Sequence, residues 1–117
     1  MLQVQWINTY GDGNPITLGT LDLGTVTAQG IYIIWYRGSP GRVVRLGQGD
    51  VSNRLGAHRA DPAITNFGKT NGQLYVTWAE IPALSRDGVE RYLANLYPPL
   101  VGDAFPDVVP IAVNAPW

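Results

Sequence analysis

The stretch GIYIIWYRGSPGRVVRLGQG, residues 30–49, has the pattern of two strands joined by a turn. Its first half is apolar or aromatic at every position from 31 to 36, which predicts a central strand covered on both faces. Turn residues follow at 38–41, so the basic and apolar run at 42–48 is the expected antiparallel partner. The first strong prediction is therefore a β-hairpin in the middle of a sheet.

The register of this hairpin decides which side chains share a face. A connection of four residues pairs Arg37 with Arg42, Ile34 with Arg45 and Tyr32 with Gly47. Directly opposed residues share a face, so Tyr32 and Arg45 lie diagonally, about 7 to 8 Å apart by backbone. Gly47 leaves open space above Tyr32, so we expect a phenol and a guanidinium in one small cleft. A connection of odd length would flip the pairing and remove this expectation.

The length and composition of the chain limit what it can be. Its 117 residues, 45% of them hydrophobic, predict a single domain over 1–117. The sequence has no apolar run long enough to span a membrane and no signal-peptide pattern, so we expect a soluble protein with no membrane partner. It has no cysteine, which excludes disulfides and thiolate metal sites and agrees with a cytoplasmic or otherwise intracellular location.

The charges are distributed unevenly although the formal net charge is only −1. Five arginines fall close together: Arg37, Arg42, Arg45, Arg54 and Arg59. Arginine suits bidentate contacts with phosphate or carboxylate better than lysine does, so this locally basic segment is a candidate contact surface for either group. A solvated arginine-rich surface is the alternative that composition leaves open.

Patterns outside the hairpin predict the remaining elements. A helix is expected over 50–61, with Asp50 or Ser52 as N-cap and Val51 and Leu55 facing inward. QLYVTWAEI, residues 73–81, reads as a third strand.

Ser85 or Asp87 can cap a second helix through 87–97, with Glu90 in its first turn. The segment 1–29 is expected to form short strands or extended cover. The apolar, proline-rich tail at 103–117 is expected along a sheet edge or a neighbouring subunit, which allows a homodimer. The predicted fold class is α+β: a small three-stranded antiparallel sheet flanked by helices, with an extra amino-terminal strand segment and an extended tail.

Four features in this order carry a resemblance: Gly30-Ile31-Tyr32, Arg45-Leu46-Gly47, Arg54 with His58, and Glu90. Their order and spacing over about residues 30–102 are similar to those of the GIY-YIG nuclease family. The resemblance implies a three-stranded antiparallel sheet between helices, an arginine on the first helix and a metal-binding glutamate on a later helix. The sequence departs from the family pattern where Arg45 stands for the second tyrosine and Gly102 for an asparagine. The interval from Arg45 to Arg54 is also one residue shorter than usual.

The resemblance also implies a chemistry and its catalytic residues: Tyr32, Arg45, Arg54, His58 and Glu90. Glu90 would hold one Mg²⁺ or Mn²⁺ ion, and Tyr32 would orient or deprotonate a water with Arg45 and Arg54 as its cationic neighbours. Arg54 would also clamp the phosphate, and His58 could relay a proton. Arg37, Arg42 and Arg59 are the further expected contacts to nucleic acid, with DNA as the expected substrate.

Two other functions fit the sequence. A binding module could keep the fold and the basic cleft but lack turnover, because Arg45 and Gly102 replace family residues. An assembly subunit could use the four tryptophans, at 6, 35, 78 and 117, together with the apolar tail to build an interface.

Overall fold

The computed structural model describes residues 1–38, 41–102 and 104–117. Six main elements follow one another along the chain: β1 Gln29–Tyr36, β2 Arg42–Asp50, α1 Val51–Arg59, α2 Pro62–Asn71, β3 Tyr75–Glu80 and α3 Arg86–Leu96. Short 3₁₀ turns lie at Leu23–Thr25 and Ala83–Ser85. The expected turn residues Ser39 and Pro40, and Asp103 at the start of the tail, lie outside the described residues.

The three strands form one antiparallel sheet in the order β2-β1-β3, with helices on both faces. The predicted α+β class is therefore confirmed. Tyr32 and Ile34 of β1 pack on one face with residues of α1 and α2. Ile31 and Ile33 pack on the other face with residues of α3. Because β1 is covered on both sides, its sequence is apolar at both alternating sets of positions.

The predicted pairing of β1 with β2 is confirmed at Tyr32 and Ile34. It is wrong next to the turn. Ile34 pairs with Arg45 and Tyr32 with Gly47, as predicted, but Arg42 pairs with Tyr36 instead of Arg37. The strands are joined by five residues rather than four, and a β-bulge between Ile34 and Trp35 shifts the register. Since Trp35 pairs with Val43, Val44 is the additional residue. The bulge thus compensates for the odd loop and keeps Arg45 on the face of Tyr32.

Local signals explain where the helices begin. The Asp50 side chain accepts a hydrogen bond from the Asn53 amide and caps α1, and Val51 and Leu55 are buried as predicted. The sequence reading missed α2, although Asp61 caps it and Pro62 stands in its first turn.

Helix α3 begins one residue earlier than the expected 87–97 span. Ser85 occupies its N-cap position without a side-chain hydrogen bond. Asp87 is the acidic residue of the first turn, so Glu90 lies in the second turn and not in the first. The correction matters because the side chain of Glu90 is buried rather than held at the helix end.

Extended segments cover the sheet edges. The amino-terminal segment runs beside β3, with isolated bridges from Ile7 to Trp78 and from Thr17 to Tyr75. At the other edge, the amides of residues 100 and 101 donate to the carbonyls of Val43 and Val44 at 3.1 and 2.8 Å. Pairing of this kind satisfies backbone groups that an open edge would expose.

The carboxy-terminal tail lies against the amino-terminal segment, which itself runs beside β3. Val113 bridges Leu2 in parallel. The Asn114 side chain accepts from the Val4 amide at 2.7 Å and donates to the Val4 carbonyl at 2.9 Å. Within the described part of the chain, no helix is long and apolar enough to cross a membrane.

Substitution of Gly30 by alanine should destabilise the protein because the new Cβ would overlap the Ala79 carbonyl oxygen of β3. Gly19→Ala is the matched control, since a Cβ there meets no atom within 4 Å. We expect Gly30→Ala to lower the free energy of unfolding in urea by at least about 2 kcal/mol. The control should stay within about 1 kcal/mol of the parent. Equal stabilities of the two variants would contradict the close packing of β1 against β3.

Candidate active site

A hydrogen bond between a buried tyrosine and a histidine forms the centre of the site. Tyr32 on β1 is 2% exposed, and its ring lies across Gly47, where any Cβ would overlap the phenol. The phenolic oxygen is 2.6 Å from Nε2 of His58 on α1. The missing side chain at Gly47 therefore lets Tyr32 reach from the sheet to the helix.

His58 is the proton acceptor of this pair. Burial lowers the pKa of His58, and the positive charges of Arg45 and Arg54 lower this pKa further. The negative charge of Asp61 raises the pKa and so partly opposes the shift. A lowered pKa keeps the imidazole neutral at neutral pH, so one ring nitrogen carries no proton. We assign that nitrogen as Nε2, which accepts the hydroxyl proton of Tyr32.

Tyr32 is a neutral phenol at neutral pH. Burial raises the pKa of Tyr32 above its ordinary value. Contact with the Arg45 guanidinium and the charges of Arg45 and Arg54 lower this pKa, and the Glu90 carboxylate raises it. Because the burial effect outweighs the arginines, the proton stays on the phenol and points toward His58.

The side chain of Arg45 packs against a position that has no side chain of its own. Its guanidinium lies against Gly102, where a Cβ would overlap it, and Gly102 has a φ of +94°. The long side chain at 45 thus occupies the space that a side chain at 102 would need. Arg45 Nε is buried and has no hydrogen-bond partner among the described residues.

Arg54 approaches the same place from α1, one helical turn before His58. Its side chain is exposed. Gly49 has a φ of +119°, and a Cβ there would lie 3.6 Å from Arg54 Nε. The glycine therefore gives β2 the bend before α1 and leaves the guanidinium beside the strand.

Glu90 reaches the site from α3, on the other face of the sheet. It is 8% exposed, and its Oε2 accepts a hydrogen bond from Gln48 Nε2 at 2.6 Å. The same nitrogen donates to Oδ1 of Asp87 at 2.6 Å. Burial raises the pKa of Glu90, and the nearby charge of Asp87 also raises this pKa. The hydrogen bond from Gln48 and the positive charges of Arg45 and Arg54 lower it.

The sequence reading missed both Gln48 and Asp87. Gln48 is two residues after Leu46 on β2, so alternation predicts that both face α3. Asp87 precedes Glu90 by three residues, a spacing that brings side chains together on a helix. These periodicities were the available signals, although neither one shows that the three side chains meet.

The carboxylates near α3 are the candidate ligands of a divalent cation. Among the described residues, no group of three or more histidine, cysteine, aspartate and glutamate side chains could hold a metal. Oxygen ligands from one or two carboxylates, completed by waters, are nevertheless how Mg²⁺ is usually held. A cation would also stabilise the buried charge of Glu90, so the donor set fits Mg²⁺ or Mn²⁺ and excludes a thiolate zinc site.

The structure brings all five expected catalytic residues together, and we name them the edge cluster: Tyr32, Arg45, Arg54, His58 and Glu90. Tyr32 and His58 lie on the α1 side of the sheet and Glu90 on the α3 side. Groups from the two faces approach one another at β2, because β2 is the outer strand of the sheet and has glycines at positions 47 and 49. A small cavity of about 110 Å³ between Arg45, Glu90 and Gly102 opens there.

The three other expected nucleic-acid contacts lie outside the edge cluster. Arg59 donates three hydrogen bonds to the carbonyls of Leu18 and Leu21, so its guanidinium holds the amino-terminal segment on α1. Arg37 lies over the Tyr75 ring, 4.5 Å from its centroid. Arg42 is exposed at the start of β2.

Comparisons with known proteins identify no relative. No protein-family model, no curated protein and no solved structure matches the chain.

His58 should make the stability of the protein depend on pH. Its folded-state pKa is lowered, so its stabilising effect is present above the unfolded pKa of about 6.5 and is lost as pH falls through the folded pKa. His58→Gln can still accept from Tyr32 but does not titrate. We expect thermal melts between about pH 7 and pH 5 to show a smaller loss of stability for the variant.

His58 is the only histidine in the chain, and the raised pKa of Glu90 acts in the opposite direction over this range. The difference between the two curves therefore isolates His58. Curves that stay parallel would show that His58 has the same protonation in the folded and unfolded chains.

A double-mutant cycle tests the packing of Arg45 against Gly102. Gly102→Ala should cost about 1–2 kcal/mol for the positive φ and about 1–3 kcal/mol more for overlap with the guanidinium. In an Arg45→Ala background only the first cost should remain, so the two changes should couple. Urea unfolding of the four proteins measures this, and additive costs would contradict the contact.

Proposed function

We propose that the chain is a small endonuclease of the GIY-YIG type that hydrolyses phosphodiester bonds of nucleic acid, with DNA as the expected substrate. The observation that carries the proposal is the meeting of two guanidinium groups, a phenol–imidazole pair and a buried carboxylate beside one edge strand. Phosphodiester hydrolysis needs an oriented water, a proton acceptor and positive charge at the phosphoryl oxygens. The edge cluster contains a group for each requirement.

The phenol and the imidazole provide the proton path. Tyr32 donates its only proton to His58 Nε2, which leaves the lone pairs of its oxygen able to accept from a water. As that water attacks phosphorus and the bond from phosphorus to the leaving ester oxygen breaks, the water proton passes to the Tyr32 oxygen while the phenolic proton passes to His58. The leaving oxygen takes up a proton from solvent. His58 is then the general base and Tyr32 the relay, an assignment that suits a lowered imidazole pKa and a raised phenol pKa.

The arginines hold the phosphate. Arg54 is exposed and has a planar fork that can bind two phosphoryl oxygens at once. Arg45 lines the small cavity beside Glu90, and its buried Nε has no hydrogen-bond partner among the described residues. Positive charge fixed before the substrate arrives stabilises the extra negative charge of the transition state without reorganisation.

Glu90 is the proposed metal ligand, with Asp87 beside it. A bound Mg²⁺ or Mn²⁺ ion supplies charge neutralisation at the phosphate and assists the leaving oxygen. Gln48 holds both carboxylates in place through one amide nitrogen. Its donation to two acceptors fixes the rotamers of Asp87 and Glu90 before any ligand binds.

The second candidate is a nucleic-acid-binding module without turnover. One observation favours it: the Arg45 guanidinium occupies the space beside Gly102, so a cationic group stands where the resemblance would have the second tyrosine. Such a module would bind nucleic acid with a strong salt dependence and would not require metal.

The assembly function finds no specific support among the described residues. Trp78 is buried, Trp6 donates to the Asn114 carbonyl, and Trp35 packs edge-on to Trp117. Trp117 alone of the four is half exposed, at 50%. The homodimer that the sequence allows remains a prediction.

Cleavage of labelled single-stranded and duplex DNA and RNA with Mg²⁺ or Mn²⁺ tests the proposal. Glu90→Gln should reduce the rate at least about 100-fold because it removes the charge that holds the ion. Tyr32→Phe should reduce it by about 100-fold or more because it removes the relay. Asp107→Asn, in the exposed tail, is the matched control and should cleave normally.

Folding of the variants is checked by thermal melts. Glu90→Gln should be no less stable than the parent, since it neutralises a buried carboxylate and keeps an oxygen for Gln48. Cleavage that persists in this variant would remove Glu90 from the mechanism. If the parent binds nucleic acid in a salt-sensitive way but cuts nothing, the binding module becomes the function.

A further inference from the structure

A second cavity, of about 540 Å³, lies beyond the edge cluster at the hairpin end of the sheet. It is formed where β1 and β2 meet the carboxy-terminal end of α3 and the end of the chain. Four aromatic residues line it, Trp35, Tyr36, Tyr97 and Trp117, and Arg42 is the charged side chain among its lining residues. We name it the aromatic pocket.

The rings of the aromatic pocket hold one another at steep angles. Trp117 is 5.3 Å from Trp35 and 5.3 Å from Tyr97 by ring centroids, with interplanar angles of 73° and 87°. Edge-to-face contacts of this kind fix the rings as walls of a slot. Trp117 keeps half of its surface exposed, so one wall of the slot is reachable from solvent.

Positive charge extends along the rim of the pocket. Arg42 lines the cavity itself. Arg37 lies over Tyr75, whose ring is 5.0 Å from that of Trp35. The pocket thus combines aromatic rings for a flat π system with the Arg42 guanidinium for an anion, and its volume falls in the range of sites for small organic groups.

The aromatic pocket lies close to the edge cluster along two elements. Arg42 and Arg45 on β2 pair with Tyr36 and Ile34, which are two residues apart on β1, so the separation is about 7 Å at the usual rise of a strand. Leu96 is six residues from Glu90 on α3, which is about 9 Å at the rise of a helix. At about 3.4 Å per stacked nucleotide, this separation corresponds to about three nucleotides or fewer.

We propose that the aromatic pocket binds an unpaired nucleobase of the nucleic-acid strand, with the adjacent phosphate on Arg42, close to the phosphate that the edge cluster holds. The ligand class follows from charge complementarity and ring chemistry: a nucleotide offers a flat π face and a negative charge side by side, as the pocket requires. The inference rests on the proposed function for its substrate. It adds a preference for single-stranded or flanking unpaired nucleotides over blunt duplex.

Binding is measured without metal on the Glu90→Gln protein, so that no cleavage interferes. The probes are a fluorescein-labelled single-stranded DNA of ten nucleotides, a blunt duplex of the same sequence and free adenosine monophosphate. The single strand should bind at least about tenfold more weakly to Trp117→Leu, which keeps apolar volume but loses the π face. Trp117→Phe should restore most of the affinity.

Arg42→Gln tests the phosphate contact and does not depend on the tryptophan. It should weaken binding of the single strand. The slope of the logarithm of the binding constant against the logarithm of the salt concentration should also become shallower by about one. Lys69→Gln is the matched control, since it removes one exposed positive charge from α2, away from the pocket. Melting curves confirm that each variant is folded.

The outcomes separate this inference from the proposed function. Loss of binding in Trp117→Leu and Arg42→Gln supports the pocket, even if the parent protein never cleaves and the nuclease proposal fails. Equal binding by all variants would overturn the pocket, even if cleavage at the edge cluster is established. Tight binding of adenosine monophosphate without binding of the single strand would overturn it in favour of a free nucleotide. A dimer seen by light scattering and lost in Trp117→Leu would overturn it in favour of a second copy.

Discussion

The absence of a side chain at Gly47 lets the Tyr32 ring lie across β2 and reach α1. Any Cβ at this position would overlap the phenol, so the hydrogen bond to His58 exists only with glycine there. Burial raises the pKa of Tyr32, although Arg45 and Arg54 lower it, so the group remains a neutral phenol at neutral pH. One backbone position therefore sets the geometry of the site, and burial sets the protonation of its phenol.

The outer position of β2 explains how a small domain assembles a site from two layers. Side chains on opposite faces of a sheet are normally kept apart by the strands between them. Here α1 and α3 approach the same edge from opposite faces, and the glycines at 47 and 49 leave that edge narrow. The cost is a buried carboxylate with a raised pKa, a form of local destabilisation that is frequent at functional sites.

Three features were predictable because each depends on residues near one another in sequence. They are the strand pattern, the hairpin pairing at Tyr32 and Ile34, and the cap of α1. The bulge at Val44 was not, since it compensates for a loop length that the turn residues alone do not fix. Gln48 donates hydrogen bonds to Asp87 and Glu90, which are 39 and 42 residues away in the sequence. Periodicity assigns each of these side chains to a face of its element but does not show that they meet. Protonation was the least predictable property, because burial decided it and burial depends on the whole fold.

The pairing of the two chain ends links distant parts of the molecule thermodynamically. Asn114 binds both backbone groups of Val4, while three residues further on Trp117 forms a wall of the aromatic pocket. Closing a loop of this length costs entropy that only the docked ends recover, so the two termini should fray as one unit. By reciprocity, a ligand that bound against Trp117 would stabilise the docked amino-terminal segment, and loss of that docking would lower the affinity for the ligand by the same factor.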